Sequence, residues 1–331
     1  MKFKKGLVIV LLLFTVLFVT IYSCNERTID VENMENSTLV HPIMFSMPKE
    51  KIIDNIVNKE KMLSSLIPGK METYIYYTEK DYYHEYQVSM FAMTTKKGGW
   101  DCMRHYEIMA NGCIPYFPKI EECPDKTMVL FPKDLVKRGN GLYAKYGEKS
   151  IEDLTFGELE ECKNLIEELL AYTRDNLTTE NMAKYVLEAS NHGDVKKVLF
   201  LSGSIKTDYL RCLTLQGLKR ILGKDCHDYP KINHIYNGGV SDYGRGFTIS
   251  GLVSHDLHDD DLNKNVEDDI KNKKYDIVIY GSYHRGMPFY GLVQQYYDPE
   301  NIVLLCGEDI HECTYDEYSK KGHHVFVREL T

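Results

Sequence analysis

The chain has 331 residues, 43% of them hydrophobic, and a formal charge of −9. That length can bury one large core or two ordinary ones. Its acidity is dispersed as on a solvated surface, and without a basic stripe it argues against nucleic acid as a partner.

Lys2, Lys4 and Lys5 precede residues 6–22, seventeen positions without a charge. As a helix this stretch spans about 25 Å, workable against a hydrocarbon core of roughly 30 Å with thinning or flanking anchors. Glu26, Asp30 and Glu32 follow, so the positive-inside rule keeps the N-terminus in the cytoplasm and sends the rest across the membrane. Residues 1–23 thus read as a cytoplasmic lysine segment and a single-pass signal anchor. The folded part is then non-cytoplasmic, in the ER or Golgi lumen of a eukaryotic host. The alternatives are a chain secreted after cleavage near Ser23, or one lipid-anchored through residues 21–24, where bulky Tyr22 fits poorly. Residues 24–40 are polar, lack an apolar period and read as a stem.

Nine cysteines are present and no CxxC pair occurs, which removes the zinc-ribbon and thioredoxin-like readings. The eight beyond Cys24 allow 105 disulfide pairings, and spacing chooses none. Sequons at Asn36 and Asn176 suit a lumenal chain.

From residue 41 a β/α rhythm begins. "HPIMFSMP" (41–48) is strand-like. "KEKIIDNIVNKEKML" (49–63) carries Ile52, Ile53, Ile56 and Val57 at helical spacing, and "METYIYY" (71–77) reads as a strand. "EKDYYHEYQ" predicts a helix and "VSMFAMT" a strand; "TMVLFP" (127–132) predicts a last strand of this half. Two helices follow over 155–176 and 178–191, the first opened by a Thr155/Glu158 capping box. "NHGD" (191–194) is the best internal boundary. Beyond it "KKVLFLSG", "YDIVIYGS", "NIVLLCGED" and "HHVFVREL" are strands, alternating with helices in "TDYLRCLTLQGLKRILG", "VEDDIKNK" and "MPFYGLVQQYY". Residues 229–251 read as a long ordered loop. Near-continuous apolar strands between helices indicate parallel sheets covered on both faces. The expected organisation is a nucleotide-binding domain over 41–191 and a second Rossmann-like domain over 192–331, with a cleft between.

The segment "KKGGWDCMRHYEIMANGCIPYF" (96–117) carries the most chemistry. Gly98 and Gly99 permit a tight bend, Asp101 suits an N-cap for a helix to about Ala110, and Gly112 suits the left-handed exit. A helix start at a strand's carboxyl end binds phosphates in open parallel sheets, because free N–H groups and the helix dipole point outward. Arg104 adds a cation able to contact a diphosphate through two N–H groups. Glu107, three residues on, lies on nearly the same face and can accept hydrogen bonds from the vicinal hydroxyls of a ribose. The plain alternative is an Arg104–Glu107 surface ion pair. Trp100 either lines the same site or staples the helix start.

"GGWDCMRHYEIMANGCIPYF" resembles the nucleotide-sugar-binding segment of exostosin-like and related GT-B glycosyltransferases, where an Arg and a Glu precede "GCIP". Over these some twenty residues, the resemblance implies that Arg104 contacts the diphosphate and Glu107 the ribose, with Gly98, Gly99 and Trp100 around the donor. Residues 196–230 and "YGRGFT" (243–248) resemble the acceptor-side Rossmann domain of glycosyltransferase-like proteins of that superfamily. There the acceptor domain comes first and ends in a segment like "VREL"; one like "HPIMFSMP" then opens the nucleotide domain. Here the order is reversed, so the chain resembles a circular permutation with the former termini joined near Asn191.

Other strand ends offer further candidates. "GSYHRGMPF" (281–289) sets Ser282, His284 and Arg285 at a strand's carboxyl end, where His284 can serve as a base on an acceptor hydroxyl or Arg285 can bind phosphate. A satisfied loop histidine with a surface arginine is the alternative. Gly244, Arg245 and Gly246 are possible cleft residues, and Asp309 and His311 form another strand-end pair. Asp259, Asp260 and Asp261 lie in a polar run that reads as a solvated loop rather than a metal motif. "GLKRILGKD" fails as a P-loop by one residue of spacing, and no GxSxG, HExxH or GxGxxG occurs.

The expectation is an α/β protein of two Rossmann-like domains, GT-B-like, behind an N-terminal transmembrane helix. Its expected activity is that of a hexosyl- or pentosyltransferase. It moves a sugar from a nucleoside-diphosphate sugar to a hydroxyl on a glycan, protein or lipid, with no metal or other cofactor. The alternative is a non-catalytic glycan- or nucleotide-binding membrane protein that retains the fold.

Overall fold

A computed structural model describes residues 39–241, 246–309 and 313–331. The expected anchor over residues 6–22 lies outside these; among the described residues no helix is long and apolar enough to cross a membrane. The fold is α/β, with two sheets in which every strand pairing is parallel.

In the N-terminal half, β1 (Val40–Pro42) is followed by β2 (Lys61–Leu63), α1 (Glu79–Gln87), β3 (Ser89–Met93), α2 (Met103–Ala110) and β4 (Ile114–Tyr116). Three helices then close this half: α3 (Lys133–Tyr146), α4 (Phe156–Asn176) and α5 (Thr179–Ala189). Strands β2, β3 and β4 form the smaller sheet in that order. The C-terminal half adds β5 (Val198–Leu201), α6 (Tyr209–Leu222), β6 (Cys226–Tyr229), α7 (Asp260–Asn263), α8 (Val266–Lys271) and β7 (Ile277–Tyr280). It ends with α9 (Tyr290–Tyr296), β8 (Ile302–Cys306), α10 (Tyr315–Ser319) and β9 (His324–Val327).

The larger sheet runs β1-β9-β8-β7-β5-β6. Here β1 joins the strands of the C-terminal half, pairing Val40 with Val325 and Pro42 with Val327, and not those of the half in which it lies by sequence. The strand order reverses about β5, between β6 on one side and β7 on the other, and ligands of open parallel sheets bind outside the carboxyl ends of strands at such a reversal. Alternation along the strands divides two cores. Phe200, Ile277, Ile279, Val303 and Leu305 pack into the core shared with the smaller sheet and its helices. Leu199, Leu201, Val278, Tyr280 and Leu304 face the opposite core. Both faces are covered, so the strands read as unbroken apolar runs.

Several local expectations are met. Thr155 and Glu158 form the capping box of α4, and Gly112 leaves α2 at a φ of 64°. Three are corrected. Residues 49–63 hold only a turn over Lys49–Lys51 and the short β2. The backbone N–H of Ile53 donates to Ala110 at 3.0 Å, and Arg174 donates to the Asp54 carbonyl at 3.0 Å, so distant partners replace helical bonds. Residues 71–77 form no strand; Met71, Ile75 and Tyr77 are exposed. Residues 127–132 are turns, tied to the C-terminus by the Thr127 hydroxyl on the Leu330 carbonyl at 2.8 Å. Helices α3, α7 and α10 and strand β6 have no counterpart among the sequence expectations. Helix α3 runs through Gly139 and Gly141 because Val136, Gly139 and Leu142 form its buried face.

The β1–β9 edge has a pH consequence. His41 Nε2 and His324 Nδ1 lie 3.0 Å apart and share one hydrogen. Burial, then the charge of neighbouring histidines, lowers each to about 4. An unfolded chain, with imidazoles near 6.5, takes up protons that the fold refuses, so this pair costs stability as pH falls from about 6.5 toward 4. His41→Asn is expected to make that loss shallower; urea midpoints at pH 7, 5.5 and 4.5 test it, and an unchanged slope refutes it.

Candidate functional site

The loop after β3 leads through Gly98 and Gly99 into α2. A Cβ on Gly98 would strike the Asp309 carboxylate, and one on Gly99 the Glu329 carboxylate. The glycines therefore admit two acidic side chains from the carboxyl ends of β8 and β9. Glu329 accepts from the backbone N–H groups of Trp100 at 2.9 Å and Asp101 at 3.0 Å. The lead-in to α2, expected to hold a phosphate, here holds a carboxylate of the chain itself. Asp101 is not the N-cap either; that position is Cys102, without a side-chain cap. Asp101 instead accepts from the Phe45 N–H at 2.7 Å and the Tyr106 hydroxyl at 2.6 Å. Burial raises its carboxyl to about 6 against the pull of Arg328.

Arg328 organises this junction. Its fully buried guanidinium donates to the Gly307 carbonyl at 3.0 Å, to Glu329 at 3.0 Å, to the Asp101 carbonyl and to Asp309, and lies 4.5 Å from the Phe45 ring. Asp309, a catalytic candidate by sequence, is thus an ion-pair partner of Arg328.

One turn on, Arg104 is 8% exposed, and its Nε and Nη1 meet no hydrogen-bond partner among the described residues. Its guanidinium stands 5.7 Å from the Tyr74 ring. Glu107 is also buried, and its oxygens accept from the Tyr82 hydroxyl at 2.8 Å and the Thr248 hydroxyl at 2.5 Å. No ion pair joins Arg104 to Glu107 among the described residues, which removes the surface-pair alternative. Burial raises the Glu107 carboxyl, opposed by hydrogen bonds from Thr248 and Tyr82. Thr248, at a φ of 70° that a β-branched residue rarely adopts, also donates its N–H to Glu79 at 2.6 Å and meets the Tyr83 hydroxyl at 2.6 Å. The segment after β6 therefore closes on α1 and α2. Trp100 packs on Phe117 at 6.2 Å beneath the Lys96 ammonium at 5.0 Å, as a staple of the helix start would. His105, in contact with the Thr94 hydroxyl and the Trp100 carbonyl, is lowered to about 3 by burial.

A second constellation lies at the carboxyl ends of β5, β7 and β8. The loops after β5 and β7 touch at Gly203 and Gly286, where any Cβ on Gly203 would meet the Gly286 carbonyl. Asp208 caps α6 through the Arg211 N–H at 3.0 Å and accepts from the Ser282 hydroxyl at 2.8 Å. Arg285 lies between Asp208 and Glu308, 3.5 Å from each, and donates to the Thr207 carbonyl at 2.9 Å. It is therefore neutralised within the chain and is no free phosphate contact. His284 Nε2 meets Glu308 at 2.5 Å, and Nδ1 is buried without a partner among the described residues. Burial lowers the imidazole, with Glu308 and Asp208 pulling the other way and Arg285 adding to burial.

Gly246 is enclosed by Ser241 and Ser250; Gly244, Arg245 and His311 lie outside the described residues. Asp259 caps α7. Cys306 and Cys313 form a disulfide that brackets the Glu308–Asp309 loop. Two open hollows, of about 480 Å³ beside Tyr116 and Tyr143 and about 300 Å³ beside Ile75 and His84, include neither constellation. Sequence reasoning missed Glu308, Asp208, Thr248 and Glu329. In "GED" it chose Asp309, although Glu308 is the neighbour aimed at His284; in "DYYHEY" the i, i+4 pair Tyr82 and Tyr86 was the only trace of the wall beside Glu107.

Comparison with protein-family models, with curated proteins and with solved structures returns no match.

Proposed function

We propose that the chain is a glycosyltransferase that moves a sugar from a nucleoside-diphosphate sugar to a hydroxyl on a glycan, protein or lipid. Its two parallel sheets act as GT-B-like Rossmann modules, the smaller gripping the donor and the larger presenting the acceptor. Residues 6–22 anchor it, with the fold on the non-cytoplasmic side, where the Cys306–Cys313 disulfide is at home. The permuted order that the resemblance implies is in keeping with the pairing of β1 and β9.

The observation that carries the reading is the Arg104 guanidinium, buried with two nitrogens unpartnered among the described residues. A buried donor left unmet costs about 1–3 kcal/mol, more when charged. A diphosphate supplies the missing acceptors, so the reading calls on no metal. Ribose hydroxyls then replace the Thr248 hydroxyl on Glu107.

This predicts opposite effects of one change. Arg104→Met is expected to leave the melting temperature of the ligand-free chain unchanged or higher, since it removes an unmet buried charge. It weakens nucleotide-sugar binding by about 10- to 100-fold, as for a lost charged hydrogen bond. Calorimetry with UDP-, GDP- and CMP-sugars, paired with thermal melts, tests both. A destabilised variant with undiminished affinity sinks the reading. Donor binding without nucleotide release, with glycan mixtures present, would instead identify a non-catalytic binder.

A further inference from the structure

Resting on the glycosyl-transfer reading, we propose that His284 is the base that deprotonates the acceptor hydroxyl, with Glu308 as its positioning residue. The contact of Nε2 with a carboxylate oxygen at 2.5 Å places the imidazole hydrogen on Nε2 and the lone pair on Nδ1. Arg285 Nε donates toward the same Nε2 at 3.2 Å, but a lone pair there would face the carboxylate oxygen at 2.5 Å, so the nearer and charged acceptor decides the tautomer. Nδ1 is left as an acceptor with no donor among the described residues, buried at the carboxyl end of β7. An acceptor hydroxyl brought to this strand end is the donor it lacks.

The groups facing the imidazole are Glu308 from the β8 loop, Asp208 from the start of α6, and Arg285 and Tyr283 from its own loop. Arg285 and Ser282 hold the two carboxylates in place. Burial keeps the imidazole neutral at pH 7, ready to accept, and Glu308 answers the charge it gains. Asp309, next to Glu308, adjoins Gly98 of the donor loop, so the base and the donor segment meet along one seam.

In the step itself the acceptor proton passes to Nδ1 and the acceptor oxygen forms a bond to the anomeric carbon. The bond from that carbon to the diphosphate oxygen breaks, and its electron pair leaves on the nucleoside diphosphate. No oxidant or other co-reactant is needed.

The test uses the full-length chain with His284→Gln and Glu308→Gln. The probes are UDP-glucose, UDP-N-acetylglucosamine and GDP-mannose, with nucleoside diphosphate release measured in water and with mixed oligosaccharides. His284→Gln is expected to bind the same donor within about twofold and to release diphosphate about 10²- to 10⁴-fold more slowly. Glu308→Gln is expected to move the acid limb of the pH–rate profile to lower pH, because the imidazole loses the carboxylate that favours its protonated form. Donor binding with wild-type turnover in His284→Gln overturns the base assignment alone, as does an unmoved limb in Glu308→Gln. A wild-type chain that binds no nucleotide-sugar, or binds one and never releases diphosphate, overturns the transfer reading and this proposal together.

Discussion

Replacing Arg328 by methionine is expected to cost about 3–5 kcal/mol of stability, the penalty for breaking a buried ion network by removing one partner. The side chain is fully buried and answers Glu329, Asp309 and the carbonyls of Asp101 and Gly307. Methionine fills much of the space but leaves Glu329 and Asp101 nearly dry and without their cation. The strain has a pH signature. Burial already raises the Asp101 carboxyl to about 6 against the pull of Arg328, and without Arg328 it rises further. A raised carboxyl takes up its proton in the fold before it does in the unfolded chain, so the deficit narrows as pH falls through about 6. Asp309→Asn is the control: its side chain is 58% exposed, and an exposed ion pair is worth only about 0–1 kcal/mol. Urea titrations at pH 7.5 and 5 decide the matter. A loss below 1 kcal/mol at pH 7.5, or one that grows on acidification, would contradict this account of the junction.

Lys219→Met carries the second large effect. Lys219 and Asp228 are buried and 2.8 Å apart, and Asp228 also accepts from Tyr236 at 2.7 Å and His258 at 3.0 Å. Burial works to raise the Asp228 carboxyl, but His258 and Lys219 together hold it below the usual carboxylate range. Loss of the lysine strands the buried carboxylate of β6 and is expected to cost about 3–5 kcal/mol. The double variant Lys219→Met/Asp228→Asn removes both charges and keeps an acceptor for Tyr236. It is expected to recover at least 1 kcal/mol of that loss, within the coupling of about 0.5–3 kcal/mol found between contacting residues. Equal losses in the single and double variants would mean that packing of the lysine stem, not its charge, matters here.

Legibility in the sequence followed the range of the interactions involved. Helix α4 was readable because its capping box spans four consecutive positions, and the exit of α2 because Gly112 takes a backbone angle that glycine favours. The buried strands of the larger sheet were readable because both their faces are apolar. Residues 49–63 misled because isoleucine at helical spacing is also what an irregular segment shows when distant groups satisfy its backbone. At the candidate site, position was legible and partnership was not. Placing Arg104, Glu107 and His284 near strand ends needs only the order of strands and loops. Which groups fill them depends on contacts such as Thr248 on Glu107, 141 residues apart, and Glu329 on Trp100, 229 apart.

By itself, then, the sequence determined the α/β class, the parallel sheets, the capping box of α4, the glycine exit of α2 and the residue types available at each strand end, since all of these rest on periodicity and short-range bonds. Only the tertiary structure decided that Glu329 takes the lead-in to α2, that Arg285 is spent between two carboxylates, and that Arg104 and His284 Nδ1 are left unmet. The physical reason is that a side chain's charge and donors are properties of the residue. Whether they are satisfied is a property of what the fold brings within about 3 Å of them.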